Sequence, residues 1–107
     1  MSSNPGDMGN LLAQAQRMQR ALDDARAELR ALVVEGTAGG DGARAEVTGE
    51  GLLLRLRFSD AAVRTGDRKL LEELAAGAVR DAQEKAHRRA TDRLAQVTGG
   101  LQLPGFL

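Results

Sequence analysis

Lys85, Arg88, Arg89 and Arg93 place four cations within nine residues, and Arg17 and Arg20 add two more near the start of the chain. Such side chains neutralise phosphates, which is the elementary requirement for holding a nucleic-acid backbone. The run also has a simpler reading as a solvated helix face. Asp81 stands four residues before Lys85, Glu84 four before Arg88 and Asp92 three after Arg89, spacings at which helical side chains pair. Trp and Tyr are absent, so stacking of single-stranded bases is disfavoured, and backbone contacts to duplex DNA fit better.

Other residues with chemical potential resolve into structure. Gly36, Gly39, Gly40 and Gly42 resemble a phosphate-cradling loop only in composition, because Ala43 and Arg44 follow them where Lys and Ser or Thr would be needed. They read as hairpin-turn glycines. His87 is the only histidine; Glu84 shares its helical face, but no converging partner for catalysis or metal binding is in sight. Asp23 with Asp24, and Glu72 with Glu73, are adjacent on helices and therefore point about 100° apart, unsuited to paired acid and base work. They read as solubilising, with Glu72 and Glu73 favouring the dipole of the helix they begin. Neither an enzyme, a cofactor, a metal nor a small-molecule substrate is expected.

The 107 residues suit one domain, and with only Phe58 and Phe106 as aromatics its core must be built from Leu, Val, Ala and Met. Cysteine is absent, which excludes a disulfide framework and a thiolate metal site. No apolar run reaches the length of a membrane span, and residues 1–8 lack the pattern of a signal peptide, so the cytoplasm is the expected location and no membrane partner is anticipated. Net charge is zero but unevenly spread. Residues 1–22 and 80–107 together hold seven basic and four acidic side chains, a net +3 that leaves −3 for the middle.

The elements that must position these charges follow from periodicity. Met8, Leu11, Ala15, Met18, Leu22, Ala25, Leu29 and Leu32 recur at steps of three and four, predicting a helix over 7–32 with Asp7 placed to cap it. At about 37 Å it outgrows a compact globule of this chain length. A second copy of the chain is the natural cover, so a homodimer is expected. The period then changes to two: strands are predicted over 33–38, 44–48 and 52–59, the last with Leu52, Leu54, Leu56 and Phe58 on its core face. Ser59 or Asp60 can cap a short helical turn, and a second long helix is predicted over 67–97, with Leu71, Leu74, Ala78, Ala82, Ala86, Leu94 and Val97 inward. Residues 1–7 form a leader, 8–98 one domain and 99–107 a tail.

The expected fold class is therefore α+β: a long helix, a three-stranded antiparallel meander and a long helix, with the helices on one face of the sheet. The candidate packing residues, for core or dimer, are Leu11, Met18, Leu22, Leu29, Leu54, Leu56, Phe58, Leu74 and Ala78. If the helices run side by side away from the sheet, Arg17 and Arg20 come near Lys85, Arg88, Arg89 and Arg93 at the distal tips. Asp23, Asp24, Glu72 and Glu73 would then stay near the sheet.

Five blocks in this order resemble the YbaB/EbfC family of bacterial nucleoid-associated proteins. They are Met8-Gly-Asn-Leu-Leu-Ala-Gln-Ala-Gln-Arg-Met-Gln19, Val34-Glu-Gly-Thr-Ala-Gly-Gly40, Glu46-Val-Thr-Gly49, Lys69-Leu-Leu-Glu-Glu-Leu74 and Val97-Thr-Gly-Gly-Leu-Gln-Leu-Pro-Gly105. The chain departs from the family at Ser59-Asp60-Ala61, where members commonly carry Asp-Pro. The resemblance implies a cytoplasmic homodimer whose sheets meet and whose helical arms grip duplex DNA, with a role in chromosome organisation or gene regulation. Arg17, Arg20, Lys85, Arg88, Arg89 and Arg93 are the arm positions to which phosphate contacts are carried over. A dimeric adaptor gripping a protein through the same arms is the alternative, favoured by the zero net charge.

Overall fold

The computed structural model describes residues 5–99, with side chains from Asp7 onward. Helix α1 spans Pro5–Ala31, strands β1, β2 and β3 span Val33–Ala38, Ala43–Thr48 and Leu53–Phe58, and helices α2 and α3 span Asp60–Arg64 and Arg68–Thr98. The sheet is an antiparallel meander in the order β1-β2-β3. The radius of gyration is 20.5 Å, well above the roughly 13 Å of a compact globule this size. The long helices project as the periodicity predicts.

Local chemistry sets the boundaries. α1 begins at Pro5, so Asp7 falls in its first turn rather than capping it. That position still places a negative charge at the positive end of the helix. Ser59 caps α2 by accepting from Ala62 N–H at 3.0 Å, and Asp67 caps α3 by accepting from Leu70 N–H at 3.1 Å. The first turn of α3 holds no acidic residue, because Glu72 and Glu73 lie one turn further on. Gly99 ends α3 in the left-handed conformation, φ 66°, which glycine adopts without penalty.

Two clusters form the core. Val34, Ala43, Ala45 and Val47 of the sheet meet Ala78, Ala82 and Ala86 of α3, with Leu56, Phe58 and Leu74 packed at the edges. Leu22, Ala25 and Leu29 of α1 meet Leu94 of α3, with Met18, Ala90 and Val97 beside them. One i, i+4 row of α3 serves both, since such a row drifts by about 40° per step and so turns from the sheet at Ala82 to α1 at Leu94. α1 therefore lies on α3 rather than on the sheet face, which α3 covers.

Two glycines make room for these approaches. A methyl group at Gly36 would collide with the backbone of Ala82 and Ala78, so Gly36 is there to seat β1 against α3, not to make the turn. At Gly49 a methyl would come within 2.5 Å of the Leu29 carbonyl oxygen. Gly49 N–H donates to that oxygen at 2.8 Å, binding the last turn of α1 to the end of β2.

The third strand differs from its simple alternation. A bulge between Glu46 and Val47 pairs Val47 with Leu53 and Glu46 with Arg55, leaving Leu54 as the extra residue. Leu56 and Phe58 still face the core, but Leu54 and Leu52 are 52% and 67% exposed, so neither is a core residue of this chain.

Candidate nucleic-acid interface

The outward faces of α3 and α1 carry the cations. Ala78, Ala82, Ala86 and Leu94 point inward, and this fixes Lys85, Arg88 and Arg89 on the exposed side of α3. Because β1 is an edge strand under α3, these cations border it. Lys85, Arg88, Arg89 and Asp92 line an open groove of about 410 Å³ together with Val33, Val34 and Glu35. The participation of β1 was not visible in the sequence; it follows from the edge position of that strand and the path of α3 over it.

Partners divide the six predicted cations. Arg93 grips Glu28 with two nitrogens, Nε to Oε2 at 2.9 Å and a terminal nitrogen to Oε1 at 3.2 Å, tying α3 to α1. That hydrogen bond, more than the accompanying charge attraction, holds the Glu28 carboxyl below its ordinary range and raises Arg93. Lys85 Nζ donates to Asp81 at 2.9 Å. Asp81 also accepts from Thr37 N–H on β1 at 2.9 Å, and this backbone bond is the foremost cause of its lowered pKa, followed by Lys85. Arg17, Arg20, Arg88 and Arg89 have no ion-pair partner among the described residues. Of the three pairings suggested by spacing, only Asp81 with Lys85 forms.

The geometry corrects the expected clustering at the tips. Glu28 faces Arg93, so Arg17 and Arg20 lie roughly two to three turns further out along α1, beyond the end of α3. Lys85, Arg88 and Arg89 lie the other way, beside the sheet. The cations form two groups separated along the long helices, not one basic tip. Asp23 and Asp24 stand between Arg20 and Glu28, on the arm rather than at the sheet, with Asp23 accepting from Gln19 and pairing with Arg26. His87 is exposed, and no cluster of metal-ligating side chains occurs among the described residues. No helix among the described residues is long and apolar enough to cross a membrane.

The remaining packing candidates separate as well. Leu22, Leu29 and Ala78 are buried, Met18, Leu56, Phe58 and Leu74 are half-buried, and Leu11 is 62% exposed.

The described residues form an elongated helix–meander–helix fold whose long helices carry exposed cations. More particularly, residues 4–101 match the model of the YbaB/EbfC DNA-binding family, and the chain belongs to that family. A nucleoid-associated protein of Nocardia farcinica is 40% identical over 100 residues, covering 94% of this chain and 91% of its own. One from Clostridium perfringens is 36% identical over 101 residues, covering 94% and 90%. The crystal structure of an uncharacterized protein from Helicobacter pylori superposes with a TM-score of 0.71 over 92% of this chain and 100% of its own, at 15% identity, which speaks to the fold alone.

Proposed function

We propose that this chain binds duplex DNA as a homodimer with low sequence specificity and contributes to chromosome organisation or gene regulation in the cytoplasmic nucleoid. The observation that carries this reading is the set of Arg17, Arg20, Arg88 and Arg89, exposed and without ion-pair partners among the described residues of a protein whose net charge is zero. Guanidinium groups without ion-pair partners on both long helices suit phosphate contacts, which carry no sequence information. Lys85 and Arg93 would have to exchange Asp81 and Glu28 for phosphate and are the weaker contacts. Family membership and the nucleoid-associated relatives support the same partner.

The dimer in this reading forms through the free edge of β3. Leu52, Leu53 and Leu54 are 67%, 44% and 52% exposed there, and an edge strand bearing exposed leucines is a template for pairing with another strand. Joining sheets would leave both pairs of helices free as arms.

A gel-shift titration with duplex DNA at two salt concentrations tests the proposal. Retardation at low salt that weakens steeply as salt rises is expected, because phosphate-driven affinity depends on counterion release. Absence of retardation at about 50 mM salt would overturn it. A dimeric adaptor for a protein partner is the second reading, favoured by Glu35 and Asp92, whose carboxylates share the groove with the arginines.

A further inference from the structure

The sheet has two outer edges, and the chain treats them differently. β1 pairs with β2 on one side, and no described strand lies along its other side. Thr37 N–H points out of that free edge, because it donates to Asp81 Oδ2 of α3 at 2.9 Å. Main-chain groups alternate sides along a strand, so Val33 and Glu35 present theirs to the same edge. A strand arriving there must supply a carbonyl oxygen to Thr37 N–H, and the Asp81 carboxylate already stands in that place. Lys85 Nζ holds the same carboxylate oxygen at 2.9 Å, and the contact of Gly36 with the backbone of Ala82 keeps α3 close. An ionised carboxylate offers only acceptors, so it also repels an incoming carbonyl. Lys85, Arg88 and Arg89 border this edge beside Val33 and Glu35, so two β1 edges brought together would set these cations against their own copies.

We propose that Asp81 closes the β1 edge to strand pairing and so confines sheet-to-sheet association to β3, stopping assembly at two copies of the chain. This rests on the β3-joined dimer proposed above. β3 pairs with β2 alone and carries exposed Leu53 and Leu54, so its outer edge stays available. Joining two sheets at β3 leaves each β1 at the rim of the joined sheet. With both edges able to pair, sheets would add to sheets in an open series. An acceptor side chain set against the β1 edge prevents that series, and Asp81 is placed to do so.

Light scattering on the full chain over a range of protein concentrations tests this, at raised salt to screen Lys85, Arg88 and Arg89. Asp81→Ala uncovers Thr37 N–H, whereas Asp81→Asn keeps an acceptor oxygen at that position. Asp81→Ala should grow with concentration to a mass about twofold or more above that of the native chain, while Asp81→Asn keeps the native mass. To separate strand pairing from misfolding, Thr37→Pro is added to the alanine variant. Proline there removes the outward N–H without breaking a bond to β2, so the double variant should return to the native mass. An Asp81→Ala chain of native mass overturns the proposal, as does growth that Asp81→Asn shares or that Thr37→Pro leaves in place. If the native chain holds one copy, the β3-joined dimer fails, and closure of β1 stands or falls separately on whether Asp81→Ala alone advances to two.

Discussion

Arg93 reaches across from α3 to hold Glu28 of α1 by two hydrogen bonds, a contact between residues 65 positions apart in the chain. It sets which part of α1 faces which part of α3 and occupies the guanidinium. Arg88, five residues earlier, has no such partner among the described residues. Arg88→Ala and Arg89→Ala should therefore weaken duplex binding across sequences and each lower the slope of log affinity against log salt by about 0.9, with the dimer intact. Arg93→Ala should change that slope less. Binding titrations at several salt concentrations check the difference.

Acid should loosen the junction of β1 and α3. Thr37 N–H and then Lys85 hold the Asp81 carboxyl below its ordinary value of 3.8, and Arg93 holds that of Glu28 below 4.5. A group with a lowered folded-state pKa contributes stability fully above its ordinary value and loses it as pH falls through the lowered one. Melting temperatures of the native chain should thus fall on the acid side, and Asp81→Asn, which removes the titrating group, should flatten that fall. Identical acid-side profiles would contradict this assignment.

Gly36→Ala should be costly although alanine favours strands more than glycine does. Its methyl group meets the main chain of α3, which cannot move aside as a side chain would. Separating β1 from α3 at that point should cost about 1 to 3 kcal/mol, measured by denaturant unfolding at fixed protein concentration. Ala at Gly40, which has open space around it but a positive φ, should show only the smaller backbone strain.

Leu22 and Leu29 are 2% and 5% exposed at the contact between the long helices. Leu22→Ala or Leu29→Ala should cost about 2 to 5 kcal/mol. An unchanged melting temperature would mean that the stripe carries no load.

Much of the fold was legible because its signals are local. The change of period at Val33, the cap at Ser59 and the stop at Gly99 all depend on residues within a turn of the feature they define. The parts that were not legible depend on elements meeting from afar. The bulge that exposes Leu54 is a property of the β2–β3 pairing, and the need for glycine at position 36 arises from the backbone of Ala82. The six cations could be named from the chain, but their arrangement follows the register of α1 on α3. That register is set by the contact of Glu28 with Arg93 and of Leu29 with Leu94, which no spacing within either helix encodes.

The alanine contact between α3 and the sheet has a mechanical consequence. α3 is a beam clamped at one end, where Ala78, Ala82 and Ala86 press against Val34, Ala45 and Val47, and braced along its free half by α1. Short side chains leave almost no compliant layer in that clamp, so a load applied near Thr98 is delivered to the sheet as torque instead of being absorbed by rearranging rotamers. The turn from Thr65 to Asp67 lies behind that clamp, so the chain connection that remains between the arm and the sheet outside it is the single residue Leu32 between α1 and β1.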